Sequence, residues 1–288
     1  PDNELAIREL DNCQYKIGVY KRLDIIRNII SLEPDLVVLD ILDSEVTEVQ
    51  ELKSQNIPVI SFEDLGSGSR CTDLTINEIY DEPQLPGENF LWGWKYFFVR
   101  DEFSNAQPNT YADDVESVLL VFGGTDQHDL TRKILFSILE VCSCNNIFIR
   151  IVTGPGYRGY EELSKEVFDL DGVSITHATG VISEIMEKSS IAITSNGRTV
   201  YELAHMSIPS IVISQHEREN THKFATPNNG FVPVGIYQAG VTEGKVVKEL
   251  TQLIHDKKYR RCLFENSDCH SFVGAKAKVV NRMLEFLA

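Results

Sequence analysis

The sequence predicts an α/β protein of two Rossmann-like domains, each built on a parallel sheet, with a cleft between them. Three observations carry this. Short apolar runs alternate with amphipathic runs over short links along nearly the whole chain, the pattern of strand-helix-strand units. Two of the apolar runs end directly in glycine turns that open helices, at 117–131 and 191–205. A polar stretch, residues 104–116, interrupts the alternation and serves as a linker between an N-terminal domain (1–104) and a C-terminal domain (117–288).

Composition agrees with that division. The 288 residues suffice for about two domains, and 42% apolar with 24% charged residues is the profile of an ordinary globular protein. A formal net charge of −16 excludes a general nucleic-acid or anionic-membrane surface, since both need clustered Lys and Arg. An anionic ligand must then be held by backbone dipoles and a few basic side chains. No apolar run is long enough to span a bilayer, and no secretory signature is present. The six cysteines are scattered without a CxxC pair, which reads as reduced thiols in the cytoplasm and no zinc site.

Taken in order, the first half reads as helix 3–10, strand 15–20, helix 23–32, strand 36–40, helix 45–55 and strand 58–62. The chain opens at Pro1 already inside helical pattern, so it reads as the remainder of a longer polypeptide. Acids stand at the strand ends: Asp40 and Asp43, then Glu63 and Asp64. In open α/β sheets ligands sit beyond the carboxyl ends of the strands, which makes these acids site candidates. Asp43 reads equally as a cap for the helix that follows it. Residues 63–69 form a turn that Gly66 and Gly68 make flexible or tightly bent. Residues 73–79 read as strand, and 80–93, with Pro83, Pro86 and Gly87, as an irregular loop in which Trp92 and Trp94 are core anchors rather than ligand-stacking rings. Residues 96–103 return to strand pattern.

In the second half, strand 117–122 runs into Gly123, Gly124, Thr125 and Asp126 and then an amphipathic run to residue 141. The glycines let the backbone approach a ligand, and first-turn helix amides have no intrahelical acceptor, so this junction is a diphosphate seat. Strand 147–153, the turn Gly154-Pro155-Gly156, helix 160–168, strand 173–176 and helix 182–188 follow. Strand 191–194 then delivers Ser195, Asn196, Gly197 and Arg198 ahead of helix 199–205, a second seat containing Thr199 on the same strand-end face. Glu202 lies about one turn inside, where a carboxylate can accept hydrogen bonds from two ribose hydroxyls. The competing reading is an exposed helix glutamate. Strand 208–214 leads to a polar loop, 215–222, whose Gln215 and Asn220 are ligand-contact candidates. His216 and His222 are too far apart for a metalloprotease HExxH motif. A last strand at 230–234 and helices 242–255 and 275–286 complete the chain, the final helix packing back on the N-terminal domain.

The segments FGGTDQHDLT (122–131) and ITSNGRTVYELAHMSIPSIVIS (193–214) resemble the GT-B architecture of nucleotide-sugar enzymes. VVLDILDS (37–44), ISFEDLGSGS (60–69), TINEIYD (75–81) and YFFVRDEF (96–103) resemble, in order, the N-terminal domain of the UDP-2,4-diacetamido-2,4,6-trideoxy-β-L-altropyranose hydrolase family of the pseudaminic-acid pathway and related spore-coat polysaccharide proteins. The resemblance implies hydrolysis of a UDP-linked diacetamido sugar at its anomeric carbon without metal or cofactor. It implies that Gly123, Gly124, Thr125 and Gly197 hold the pyrophosphate and Glu202 the ribose. Asn77, Arg100, Asp64 and Tyr80 become sugar contacts, with Asp64 and Tyr80 the catalytic candidates.

One departure bears on activity. The family begins with a strand and a glycine loop carrying the presumed general-base histidine, and none of the seven histidines here stands in such a context. The resemblance therefore implies a missing first βα unit and impaired catalysis. Two further readings share the donor pocket: a GT-B glycosyltransferase, and a non-catalytic nucleotide-sugar module fused to or partnering a cytidylyltransferase.

Overall fold

A computed structural model of the protein describes Ile7, Leu10 and residues 15–287. The helix expected over 3–10 lies outside the described residues, save those two positions. Phe98–Val273 forms one compact unit; the described residues before and after it form the other.

In the first unit, β1 (Val37–Asp40), β2 (Val59–Phe62), β3 (Leu74–Asn77) and β4 (Phe90–Trp92) lie side by side in chain order, all parallel. Helices α1 (Ile25–Ile30) and α2 (Val46–Lys53) bury one apolar face each: Ile26 from α1 and Val49 and Leu52 from α2 pack with Val37, Leu39 and Val59. Glu45 caps α2 in a capping box, its N–H donating to Glu48 Oε2 at 3.1 Å, so Asp43 is not the cap. The chain's last helix, Ala275–Leu284, belongs to this unit, with Lys278 over the Tyr96 ring.

Three expectations fail in the first unit and beside it. Residues 15–20 form no strand; Tyr15 and Val19 alternate as strand residues do, but both are exposed and no ladder receives them. The expected loop 80–93 contains β4, which is short and follows a Pro/Gly stretch that hides it. Trp92 sits on β4, stacked on Phe90 at 5.2 Å and edge-on to Tyr80 at 6.3 Å, as a packing anchor. Residues 96–103 are not a strand but lie across two 3₁₀ turns, Trp94–Tyr96 and Asp101–Ser104. The apparent alternation there comes from two separate buried anchors, Phe97 and Phe103.

In the second unit the elements run β5 (Ser117–Val121), α3 (Leu130–Cys144), β6 (Phe148–Thr153), α4 (Tyr160–Val167), β7 (Val173–His177), α5 (Ser183–Met186), β8 (Ile191–Ser195), α6 (Thr199–His205), β9 (Ser210–Ser214), α7 (Glu217–Asn220), β10 (Phe231–Ile236), α8 (Thr242–His255) and α9 (Lys257–Ser267). Six parallel strands stand in the order β10-β9-β8-β5-β6-β7. Strands β5, β8 and β9 are buried on both faces, which is why their sequences are continuous apolar runs rather than alternating ones. The chain enters at the middle of the sheet with β5, winds outward through β6 and β7, then returns to β8 on the other side of β5. The order therefore reverses between β5 and β8, and that is where an open parallel sheet takes its ligand.

Helix α9 departs from the sequence reading, which places no element between residues 255 and 275. Its sequence is strongly polar, and only Arg260, Leu263 and Ser267 are buried along it. The Arg260 guanidinium is tied to the carbonyls of Leu253, Ile254 and Asp113, so a charged residue does the work of a core contact. The polar stretch expected as a linker lies along this unit: Asn109 donates its N–H to Met206 O at 3.0 Å and its side-chain amide to Ser189 O at 2.7 Å. No helix among the described residues is long and apolar enough to cross a membrane.

Candidate functional site

The glycine turns that end β5 and β8 lie next to each other at the switch point. Gly123 has φ +75°, and a side chain there would come 4.0 Å from Ser195 Oγ at the end of β8. That places the two predicted seats on one sheet edge. The turn after β6 braces the first of them: Gly156 donates to Gly124 O at 2.9 Å, and any side chain at Gly154 would strike the Gly124 backbone at 2.5 Å. Gly154 thus braces the Gly124 turn, a role that sequence reasoning missed although the Gly154-Pro155-Gly156 turn is visible in it. Gly124 and Gly197 are the opposite case. A side chain built on either meets nothing within 4 Å, so their outer faces open onto free space.

The backbone amides of Gly124, Thr125, Gly197 and Thr199 donate to no acceptor among the described residues. Four N–H donors beside the start of α6 are an arrangement of backbone dipoles that can take an anion. This matches a chain whose net charge is strongly negative.

The first seat is made differently from the sequence expectation. Helix α3 does not begin on the glycines but at Leu130, and its first-turn amides are already used: Asp126 accepts from Leu130 N–H and Thr131 N–H, each at 2.8 Å. Asp126 is buried, with φ +41°. Burial pushes its carboxyl above the usual range, the Thr131 and Leu130 donors pulling the other way. Its carboxylate thereby satisfies the first two amides of α3. The seat at Gly124 and Thr125 is loop backbone, not a helix end.

Asn196 is likewise a tie. Its side-chain amide donates to Glu219 O at 2.8 Å and His222 O at 3.1 Å, and its own carbonyl lies 2.7 Å from His222 Nδ1. These bonds pin residues 215–222 against the end of β8. Within that segment Gln215 donates its N–H to Glu219 Oε2 at 2.6 Å, while Gln215 Oε1 is buried without a hydrogen-bond partner among the described residues. Burial raises the Glu219 carboxyl, which the Gln215 amide opposes. Asn220 sits in α7, part-buried, its carbonyl taking the Lys223 ammonium at 2.9 Å.

Glu202 is buried, its side chain only 8% exposed, so it is not an exposed helix glutamate. Its Oε1 accepts from Arg100 Nε at 2.8 Å, and Arg100 Nη1 reaches Glu102 Oε1 at 2.8 Å. Burial pushes the Glu202 carboxyl up and Arg100 pulls it back down. Two residues chosen from distant motifs are thereby brought together.

The predicted catalytic residues of the first unit have other work. Asp64 is fully buried; its Oδ1 accepts from Ser44 N–H (3.0 Å) and Gly66 N–H (2.8 Å), and its Oδ2 from Ser44 Oγ. It brackets the loops after β1 and β2 and offers no face to a substrate. Gly66 and Gly68 belong to the same bracket, tightly bent, since side chains there would overlap the Ser44 and Glu45 backbone. Tyr80 is a core aromatic, 1% exposed, against Trp92. Asn77 is fully buried; its amide donates to Asp64 O at 3.2 Å and its Oδ1 has no hydrogen-bond partner among the described residues. Among the described residues no cluster of His, Cys, Asp or Glu is arranged to hold a metal ion.

Comparison with known proteins adds the following. The model of the glycosyltransferase family 28 C-terminal domain matches residues 118–282. The chain is 27% identical over 232 residues to an uncharacterized protein, MJ1062, of Methanocaldococcus jannaschii, covering 75% of this chain and 48% of that one. It is 24% identical over 203 residues to the spore coat polysaccharide biosynthesis protein SpsG of Bacillus subtilis, covering 68% of this chain and 60% of that one. The chain thus spans about half to three-fifths of the length of these relatives. Among solved structures, the UDP-GlcNAc 2-epimerase of Neisseria meningitidis bound to UDP-GlcNAc shares the fold with a TM-score of 0.63 and 16% identity, covering 99% of this chain and 88% of that one. The fold is that of GT-B proteins, two α/β domains on parallel sheets, as the sequence predicts.

Proposed function

The chain belongs to the glycosyltransferase family 28 C-terminal domain family, and from that premise we propose that its second unit is the donor site of a glycosyl-transfer enzyme. The donor is a nucleotide sugar, and the pathway one of surface polysaccharide synthesis. The observation that carries the reading is the pair of adjoining glycine turns, whose four unaccepted amides lie at the switch point in the same unit as the buried carboxylate of Glu202. In transfer, the bond from the sugar's anomeric carbon to the diphosphate oxygen breaks while an acceptor hydroxyl adds and gives up its proton. Negative charge builds on the departing diphosphate, and fixed amide dipoles stabilise charge that develops there without reorganising. Glu202 takes the ribose hydroxyls and so aligns the diphosphate over the amides.

The polysaccharide role of the Bacillus relative and the UDP-GlcNAc bound by the Neisseria neighbour support a UDP-sugar as the donor. Hydrolysis, the reading the sequence resemblance implies, differs in using water as acceptor. Asp64 and Tyr80, the two groups named for it, are spent in packing and loop bracing, which favours transfer as the first reading.

Incubation with UDP-GlcNAc, with and without a polysaccharide-primer acceptor, separates the possibilities. UDP release only with acceptor supports transfer, and release without it converts the reading to hydrolysis. Tight UDP binding with no release in either arm makes the protein a binding module.

A further inference from the structure

The Arg100–Glu202 pair carries one inference past the reading above, on which it rests. Glu202 stands on α6 with its carboxylate almost wholly removed from water. A buried carboxylate that is to accept two hydroxyl hydrogen bonds must be ionised and must be held in one orientation. The charged groups facing it are few. Arg100 bonds its Oε1 through Nε at 2.8 Å; Glu102, from the same segment as Arg100, adds repulsion; Arg198, at the start of α6, adds a weaker attraction. His205, one turn further along α6, has its imidazole pushed below the usual range by its own burial.

Arg100 is itself positioned. Nη1 meets Glu102 Oε1 at 2.8 Å, the guanidinium lies 5.6 Å over the buried Phe103 ring, and Glu102 is anchored in turn by accepting from Ser183 N–H at 3.1 Å. The guanidinium is thus clamped by an acid on each side and a ring beneath, while its side chain stays 52% exposed.

We propose that Arg100 is a positioning residue for ribose recognition: by bonding one oxygen of Glu202 it favours the carboxylate form and directs the second oxygen to the nucleotide's ribose hydroxyls. Arg100 was expected to touch the sugar; this assigns it to the nucleotide half of the site, acting through Glu202. Removing the guanidinium removes the attraction that opposes burial, so the Glu202 carboxylate takes a proton more readily, and a protonated carboxyl is a poorer acceptor for a diol.

The test is calorimetric binding of UDP and of 2′,3′-dideoxy-UDP to the full chain, as wild type, Arg100→Gln, Arg100→Lys and Glu202→Gln, between pH 6 and 8.5. The expected result is that Arg100→Gln weakens UDP about tenfold at the acid end of that range. The deficit shrinks as pH rises and Glu202 ionises, dideoxy-UDP is unaffected, and Arg100→Lys restores most of the loss. An equal loss for UDP and dideoxy-UDP, or a loss independent of pH, overturns the proposal and makes Arg100 a diphosphate contact or a purely structural residue. The Glu202→Gln protein tests the underlying reading separately. If it binds the two ligands with an unchanged ratio relative to wild type, Glu202 is not the ribose acceptor and both ideas fall. If its ratio collapses while Arg100→Gln behaves as wild type, only the role of Arg100 is lost.

Discussion

Asp64 and Glu202 are both buried acids, both chosen from sequence, and the structure gives them opposite fates. Asp64 spends both oxygens on three donors from its own neighbourhood, two amides and a hydroxyl. Glu202 accepts from the half-exposed guanidinium of Arg100, and its helix sits in the same unit as amides that find no acceptor among the described residues. A carboxylate whose bonds close within the fold is part of the scaffold. One that is held by a single side is equipped to take a ligand. Burial and position in a motif do not separate the two; the census of donors does.

Several substitutions would break or sharpen this contrast. The largest expected effect is at Asp64. Asp64→Ala strands the amides of Ser44 and Gly66 and the Ser44 hydroxyl in a dry loop, a loss of about 3–5 kcal/mol in urea unfolding. A loss below about 1 kcal/mol would mean that the bracket is not structural, and would return Asp64 to the list of site residues. Next comes Gly154→Ala, which pushes a methyl group into the Gly124 backbone. Overpacking of that kind costs about 1–3 kcal/mol, and UDP affinity should fall with it because the turn that moves is the seat.

Gly197→Ala is the informative counterpart. Nothing in the fold opposes the added methyl group, so its melting temperature should stay near wild type while UDP affinity drops roughly tenfold, about 1.4 kcal/mol. A stable protein with undiminished affinity would move the anion seat elsewhere. The smallest effect is the pH dependence contributed by Glu202. Because burial raises its carboxyl above the unfolded value, the native state binds the proton more tightly, and this group's contribution favours folding below the unfolded carboxyl range and is lost as pH rises through the raised value. Relative to wild type, Glu202→Gln should therefore gain stability as pH rises through that window, by about 1 kcal/mol or less after the Arg100 attraction is removed with it. A gap that runs the other way would show that Arg100 over-compensates the burial.

Much of the second unit was legible in the chain. The apolar runs of β5, β8 and β9 read as doubly covered strands, and Gly123-Gly124 and Gly197, just beyond two of them, mark the turns at the point where the strand order reverses. The first unit was harder to read. Tyr15 to Tyr20 has strand chemistry but no ladder to join, Phe90 to Trp92 has a ladder but lies behind Pro83 and Pro86, and Phe97 and Phe103 imitate one strand while anchoring two separate 3₁₀ turns. In each case pairing, a non-local fact, outweighed local propensity.

What the amino-acid order determined by itself was the alternation of elements, the parallel sheets and the two glycine turns, since periodicity and backbone freedom are properties of neighbouring residues. What only the tertiary structure decided was the partnership of each polar group: that Asp126 caps α3, that Asn196 ties down residues 215–222, that Asp64 closes on Ser44, and that Arg100 meets Glu202 from 102 positions away. A hydrogen bond is won by whichever donor the folded chain brings within about 3 Å, and distance along the sequence carries almost no information about that.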